Sequence, residues 1–137
     1  MSPAGYSGTP LWKKLGISDQ SKLLLLNAPP NYAGLIETDL EGLLCGKDEV
    51  PGIVHLFAEN NAAFEASMKK LVPLINKNKN ITIWVSWYKK SAKMDTDLSE
   101  DVIRNYALKN ELVDVKVCAV SDLWSGLKLV VPKALRK

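Results

Sequence analysis

The 137-residue chain has few of the side chains that usually carry enzyme chemistry. It contains one histidine, His55, and two cysteines, Cys45 and Cys118. Nucleophilic catalysis needs a base beside the nucleophile, and no group of His, Cys and carboxylate residues has the spacing of a zinc site. Two widely separated cysteines are typical of reduced thiols rather than of a disulfide framework. We therefore predict no catalytic residues, no metal site and a cytoplasmic location.

Long apolar runs and glycine-rich loops are also scarce. The apolar run at residues 23–26 is far too short to span a bilayer, and residues 1–10 lack the basic start and apolar core of a signal peptide. The chain contains no phosphate-binding loop of the Walker type. Ser7, between Tyr6 and Gly8, does not fit the nucleophile-elbow pattern. We therefore expect no membrane association and no nucleotide site of the Walker kind.

The net charge of +3 is too small to indicate a polyanionic partner, although it is unevenly distributed. Residues 1–60 hold four lysines and seven acidic residues, and residues 61–137 hold fourteen basic and eight acidic residues. Solvated lysines at turns and helix ends are the favoured interpretation. The alternative is an anion-binding edge that includes Lys89 and Lys90.

Hydrophobic patterning predicts an alternation of strands and helices. Apolar stretches rich in Leu, Val, Ile and Trp predict six strands, at residues 23–26, 43–45, 53–57, 81–87, 113–120 and 124–131. Helical spacing predicts helices at residues 11–15 and from Asn60 or Asn61 onward, the latter kinked or ended early by Pro73. A capping box with Asp97 as its cap predicts a helix from there to about residue 110.

Strands separated by helices favour a parallel sheet with right-handed crossovers. We predict one α/β domain over residues 1–137, a three-layer sandwich with a mostly parallel sheet of about six strands and a C-terminal antiparallel hairpin. In chain order the strands should lie 2-1-3-4-6-5, with the last strand antiparallel to the others. The strand at residues 81–87 is apolar on both faces, so we expect it near the centre.

The carboxyl ends of the predicted strands supply the candidate site, because ligands bind there in open α/β sheets. An aromatic or apolar ligand with an anionic group would pack against a tryptophan wall, with a lysine ammonium at the rim. We expect Asn27 and Trp87 to line one cavity. The alternative, which we favour, is that Trp84 and Trp87 are core residues and the lysines are solvated. The candidate ligand-binding residues are Asn27, Pro29, Ser86, Trp87, Lys89 and Lys90.

Other conspicuous side chains have structural interpretations. His55 lies within an apolar strand and is predicted to be a satisfied core histidine, and Cys118 is also expected in the core. Trp124 could pack the hairpin or, with Lys128, form an interface with a protein partner; packing is favoured. Aromatic residues beside lysines near Trp87 superficially suggest a nucleic-acid stacking platform, but a central strand denies the access that stacking needs. We predict no nucleic-acid partner.

Several motifs together resemble an uncharacterised family of small bacterial proteins, which is similar to a truncated class I methyltransferase domain with a Rossmann-like fold. The resemblance covers nearly the whole chain and implies a fold, not an established activity. It rests on the segments at residues 5–11, 13–16, 24–29, 54–57, 84–87 with 89–90, 96–98, 115–120 and 124–128.

The cofactor loop departs from the methyltransferase pattern that this resemblance implies. Such a loop usually has an acidic residue and closely spaced glycines after the first strand, whereas this chain has Asn27-Ala28-Pro29-Pro30. Each proline removes a backbone donor. Asp39 or Glu41 could bind a ribose, although solvated loop acids are the favoured interpretation. S-adenosylmethionine binding is thus possible but not expected.

The sequence therefore favours a non-catalytic module that binds an unknown small molecule or a protein partner. A degenerate or atypical S-adenosylmethionine-dependent methyltransferase is the alternative, since a fold alone is weak evidence for activity. A purely structural subunit would be favoured if no pocket lay near Asn27 and Trp87. The oligomeric state is left open.

Overall fold

A computed structural model describes residues 10–18, 22–38, 42–46 and 49–136. These residues form an α/β fold with five strands, four α-helices and two short 3₁₀ helices, at Lys90–Ala92 and Lys133–Leu135. The α-helices and strands are, in chain order, α1 (Leu11–Leu15), β1 (Leu23–Leu26), α2 (Tyr32–Ile36), β2 (Ile53–Phe57), α3 (Asn61–Lys77), β3 (Thr82–Tyr88), α4 (Glu100–Lys109), β4 (Val113–Ala119) and β5 (Trp124–Val130).

The five strands form one mixed sheet in the order β1-β2-β3-β5-β4. β1, β2 and β3 pair in parallel, and β5 pairs antiparallel with both β3 and β4. The strand that follows α3 is therefore at the centre, as its apolar pattern predicted. The terminal hairpin adds β5 beside β3 and leaves β4 at the edge.

The expectation of a mostly parallel, six-stranded sheet is wrong. The predicted strand at residues 43–45 is reduced to a single parallel bridge between Leu44 and Leu23. Half of the strand pairings are antiparallel because the hairpin contributes two of the four. The predicted order is nevertheless kept, since Leu44 lies beside β1 on the side away from β2.

Helices cover both faces of the sheet, which gives three layers. One core contains Phe64 and Met68 of α3 and Ile103 of α4, packed on Val54 and Val85. The other contains residues of α1 and α2, packed on the opposite face of the same strands and including Trp84. Alternate residues of β2 and β3 enter opposite cores, which explains why both strands carry apolar residues on both faces.

Pro73 does not end α3, so the expectation of an early end is wrong. The helix continues four residues beyond it, to Lys77. Pro73 lies on the exposed side of the helix, where water can satisfy the carbonyl that loses its backbone partner. The N-terminal prediction is correct, because the Asn60 side chain accepts a hydrogen bond from the Ala63 N–H at 2.8 Å.

The cap of α4 is Ser99 rather than Asp97. The Ser99 hydroxyl accepts from the Val102 N–H at 3.3 Å, and the helix begins at Glu100. Asp97 instead accepts a hydrogen bond from the Asn61 N–H at 2.7 Å, at the start of α3. The carboxylate therefore joins the segment before α4 to the first turn of the neighbouring helix.

Replacing Ser99 with alanine should lower the free energy of unfolding by about 1 kcal/mol, the usual cost of losing an N-cap. Ser91→Ala is the matched control, since Ser91 caps no α-helix in the described chain, and it should change stability by less than about 0.5 kcal/mol. Urea unfolding of the two variants measures the difference. Equal losses would show that Ser99 is not the stabilising cap.

The described residues contain neither a membrane-spanning helix nor a metal cluster. None of the helices in these ranges is long and apolar enough to cross a membrane. Within the same ranges, no three or more His, Cys, Asp and Glu side chains lie together in a group that could hold a metal ion.

Candidate functional site

The order in which the chain adds strands to the sheet reverses between β1 and β2: the segment after β1 lies on one side of β1, and β2 lies on the other. After β1 it passes through α2 on one face to Leu44, which lies on the outer side of β1. It then crosses to β2 on the inner side and continues through α3, on the opposite face, to β3. In open α/β sheets, the crevice beyond the carboxyl ends of the strands at such a switch point is the usual ligand site.

A cavity of about 390 Å³ lies at this switch point. That volume is within the range of small-molecule sites, about 300–1,000 Å³. Its walls are mostly apolar, and one carboxylate and one carboxamide are its polar groups. The residues that line it are Asn27, Pro29, Phe57, Glu59, Ala63 and Trp124. We name it the switch-point cavity.

Asn27 ends β1 in an unusual backbone conformation. Its φ is 58°, in the left-handed region, which asparagine tolerates better than most residues. Its side-chain amide reaches toward α3 and donates to the Ser67 hydroxyl at 3.4 Å, a long hydrogen bond. The carboxamide is thus directed toward α3, while Asn27 also lines the cavity.

A ridge of stacked aromatic rings borders the cavity. Trp124 is 7% exposed and stacks on Tyr88 with ring centroids 4.5 Å apart. Its edge-to-face contact with Phe57 has a centroid distance of 5.0 Å. The Tyr88 hydroxyl donates to Glu59 at 2.8 Å, and this bond is the main cause of the raised pKa of Tyr88. The hydrogen bond from Tyr88 therefore holds the Glu59 carboxylate at the cavity.

A second cavity, of about 790 Å³, lies on the other side of Tyr88. It is lined by Trp87, Lys89 and Lys90 and by residues before and at the start of α4. The Glu100 and Asp101 carboxylates there pair with Arg104, whereas neither lysine forms an ion pair within the described ranges.

The predicted single cavity containing Asn27 and Trp87 is instead divided in two. Asn27 and Pro29 line the switch-point cavity, and Trp87, Lys89 and Lys90 line the second. Trp87 packs in the α3/α4 core, because odd-numbered residues of β3 face that side, whereas Phe57 and Trp124 belong to the opposite core. Trp84 and Trp87 are thus both core residues, as the favoured interpretation held.

Ser86 is fully buried and contacts His55 instead of a ligand cavity. Its hydroxyl lies 2.7 Å from His55 Nε2, and the Tyr32 hydroxyl lies 2.9 Å from Nδ1. A neutral imidazole offers one donor and one acceptor, and each hydroxyl can play either role, so the network is complete. The prediction of a satisfied core histidine is confirmed, and Ser86 is corrected from a site residue to a part of this network.

Burial sets the protonation of this network. It lowers the pKa of His55 from 6.5 to about 3 and raises the pKa of the Tyr32 hydroxyl well above its usual range. His55 also stacks on Phe57, with centroids 4.4 Å apart, and Phe57 forms part of the cavity wall. The neutral histidine therefore supports the cavity wall through its contact with Phe57, and it does not line the cavity itself.

Trp124 packs the hairpin, as favoured, and also lines the switch-point cavity. Lys128 lies further along β5, opposite Trp84 and Lys116 in the register, and is half-buried. Cys118 is half-buried at the edge of the α1/α2 core, where burial is the main cause of its raised thiol pKa.

Sequence reasoning missed Phe57 and Ala63 as cavity residues, and it nominated the strand end at residues 58–60, which includes Glu59, without choosing Glu59 as a candidate. Phe57 and Glu59 end the second apolar strand, at one of the strand ends that the carboxyl-edge rule nominates. The sequence does not show on which side of the sheet each side chain lies. That information decides which strand ends share a cavity. Asp39 and Glu41, the proposed ribose acids, lie outside the described residues.

The loop after β1 does not fit the pyrophosphate of a dinucleotide. A Rossmann loop uses glycines and free N–H groups at the start of a long helix. Here Pro29 and Pro30 lack N–H groups, the Tyr32 N–H is bonded to the Pro29 carbonyl, and α2 has only five residues.

Comparison with known structures supports the Rossmann-like assignment. A crystal structure of a protein in the NADB-Rossmann superfamily from Streptococcus agalactiae has a TM-score of 0.55, at 9% sequence identity. The match covers 93% of this chain and 70% of that chain. At such identity the likeness shows a Rossmann-like α/β fold alone. No family model and no curated protein matches the chain.

Proposed function

We propose that the protein is a small-molecule-binding domain whose site is the switch-point cavity. The observation that carries this proposal is the position of a cavity of suitable volume where the strand order reverses, with aromatic walls and two polar groups. The single histidine does not reach it as a base, since both nitrogens of His55 are engaged in the buried network. We therefore favour binding without catalysis.

Glu59 determines the chemical class of ligand that fits best. A carboxylate at the cavity attracts hydrogen-bond donors and cations and disfavours anions, while Trp124 and Phe57 favour a planar apolar group. The sequence had suggested an anionic ligand, but Lys89 and Lys90 line the other cavity. The ligand class is thus a planar ring that carries an amine or hydroxyl donor.

A degenerate or atypical S-adenosylmethionine-dependent methyltransferase is the second candidate. The Rossmann-like fold and an acidic, aromatic cavity suit a cationic adenosyl ligand. The two prolines after β1 oppose it, because they remove backbone donors at the point where such a cofactor approaches. Calorimetry with S-adenosylmethionine and S-adenosylhomocysteine tests this candidate, and tight binding of either would place it first.

Two indole compounds of opposite charge test the favoured proposal. Tryptamine should bind at least about tenfold more tightly than indole-3-acetate, since one charge-assisted hydrogen bond to Glu59 contributes about 1.5–3 kcal/mol. Glu59→Gln keeps the acceptor for Tyr88 but should remove this preference. Amide chemical shifts of the labelled protein report affinity and location together. Equal binding of both compounds, or shift changes away from the switch point, would contradict the assignment.

Filling the cavity provides an independent test with a matched control. Ala63→Leu adds volume in the first turn of α3, where Ala63 lines the cavity, and should abolish tryptamine binding. Ala62→Leu makes the same change at the adjacent exposed position and should leave binding unchanged. Thermal unfolding of both variants checks that they fold. Undiminished binding by Ala63→Leu would exclude the switch-point cavity as the site.

A further inference from the structure

A third cavity lies at the end of the molecule opposite the switch point. It has a volume of about 260 Å³ and is bounded by the last turns of α3 and α4, the start of β4 and the segment after β5. Met68, Leu112 and Val131 are buried residues that form its floor. Val72 and Leu135 line it while remaining 50% and 41% exposed, so apolar surface continues from the floor to the solvent.

Basic residues lie at and beside this cavity, whose lining above the apolar floor is mostly polar. Lys79 and Lys109 line it. Lys77 follows the lining residue Asn76, and Lys133 lies between the lining residues Val131 and Leu135. In the described part of the chain none of these four lysines forms an ion pair. The acidic residue among the lining residues is Glu111. The charges that line or flank the cavity are therefore mostly positive, and they lie around an apolar floor.

The helix dipoles explain only part of this charge. Lys77 and Lys109 occupy the last turns of α3 and α4, where a cation is stabilised by the helix macrodipole. Lys79 lies beyond the end of α3, and Lys133 lies after β5, outside both α-helices. Lys79 lines the same cavity as the exposed Val72 and Leu135, and complementarity to a binding partner accounts for this combination of charge and exposed apolar surface.

We propose that this cavity is a docking site for an acidic peptide segment of a protein partner, with one apolar side chain as its anchor. The cavity is smaller than the usual small-molecule site but large enough for one such side chain. The lysines extend beyond it, which suits a chain that crosses the surface. A concave site does not insert into a bilayer, which distinguishes it from an amphipathic membrane surface.

A random peptide display library tests the proposal even though the partner is unidentified. The library is selected on the full chain and, in parallel, on the double variant Lys79→Glu/Lys109→Glu. Peptides that carry acidic residues around one Leu, Phe, Met or Trp should be enriched at least about tenfold on the wild-type chain over the variant. Equal enrichment on both proteins, or selected peptides without acidic residues, would overturn the proposal.

Fluorescence anisotropy of the most enriched peptide then separates anchoring from charge. Replacing its apolar residue with serine, or Val72 of the protein with serine, should weaken binding about fivefold or more. Lys116→Glu, on the exposed edge strand, is the control and should have little effect. Undiminished binding of the serine peptide, or tighter binding of polyuridylate or of anionic vesicles, would overturn the peptide assignment. The outcome is independent of the switch-point cavity, which lies at the other end of the sheet.

Discussion

Replacing Trp84 with alanine should lower the free energy of unfolding by about 4 kcal/mol, the typical cost of truncating a buried tryptophan. Trp84 is fully buried on the central strand. Its ring lies against Gly126, whose missing side chain leaves room for it: a Cβ there would come within 3.4 Å of Cε3. Such a loss is a large part of the roughly 5–15 kcal/mol by which a domain is typically stable. Urea unfolding with circular dichroism detection measures it.

The contribution of the Trp84 hydrogen bond to stability can be measured separately from that of its side-chain volume. Its indole N–H donates to the Leu15 carbonyl at 2.9 Å, which fixes the end of α1 to the centre of the sheet. Trp84→Phe keeps most of the apolar surface but leaves that carbonyl unpaired, so it should cost about 1–3 kcal/mol. Trp12→Ala, on the partly buried side of α1, is the comparison and should cost less than Trp84→Ala. Equal losses at the two tryptophans would contradict a central role for Trp84.

The order of the strands was predictable because the composition of each strand reflects its burial. The strand at residues 81–87 is apolar on both faces, and only a central position covers both faces. Residues 43–45 are apolar too, but the segment between Gly42 and Gly46 is too short to compete with longer strands for pairing, and it keeps one bridge. The cap of α4 was misplaced by two residues because Asp97 and Ser99 are both good caps, and a tertiary contact with Asn61 decides between them.

The site was less predictable than the fold. Chain position nominated the carboxyl edge of the sheet, and Asn27 and Pro29 line a cavity there. Pairing Asn27 with Trp87 failed because strand spacing gives the distance between strand ends but not the side chains that lie between them. Phe57, Tyr88 and Trp124 form the wall that divides the edge into two cavities, and their stacking depends on contacts between residues far apart in sequence.

Lowering the pH from 7 to 5 should destabilise the protein by about 2 kcal/mol through His55 alone. The folded-state pKa of His55 is about 3 because the ring is buried, whereas the unfolded value is 6.5. Between these values the unfolded chain binds a proton that the folded chain excludes, so the free energy of unfolding falls as the pH falls. Well above pH 6.5 the ring is neutral in both states, and its contribution to the pH dependence disappears.

The window from pH 7 to pH 5 isolates this residue. His55 is the single histidine, and ordinary carboxyl groups titrate mostly below about pH 5. His55→Gln cannot titrate, so its unfolding free energy should change little across the window even though its absolute stability is lower. Nuclear magnetic resonance of the wild-type ring gives a second measurement that needs no variant: the His55 Cε1 proton should keep its neutral chemical shift down to pH 5. A midpoint near 6.5 in the folded protein would show that the ring is exposed to solvent, and the buried support beneath Phe57 would then be wrong.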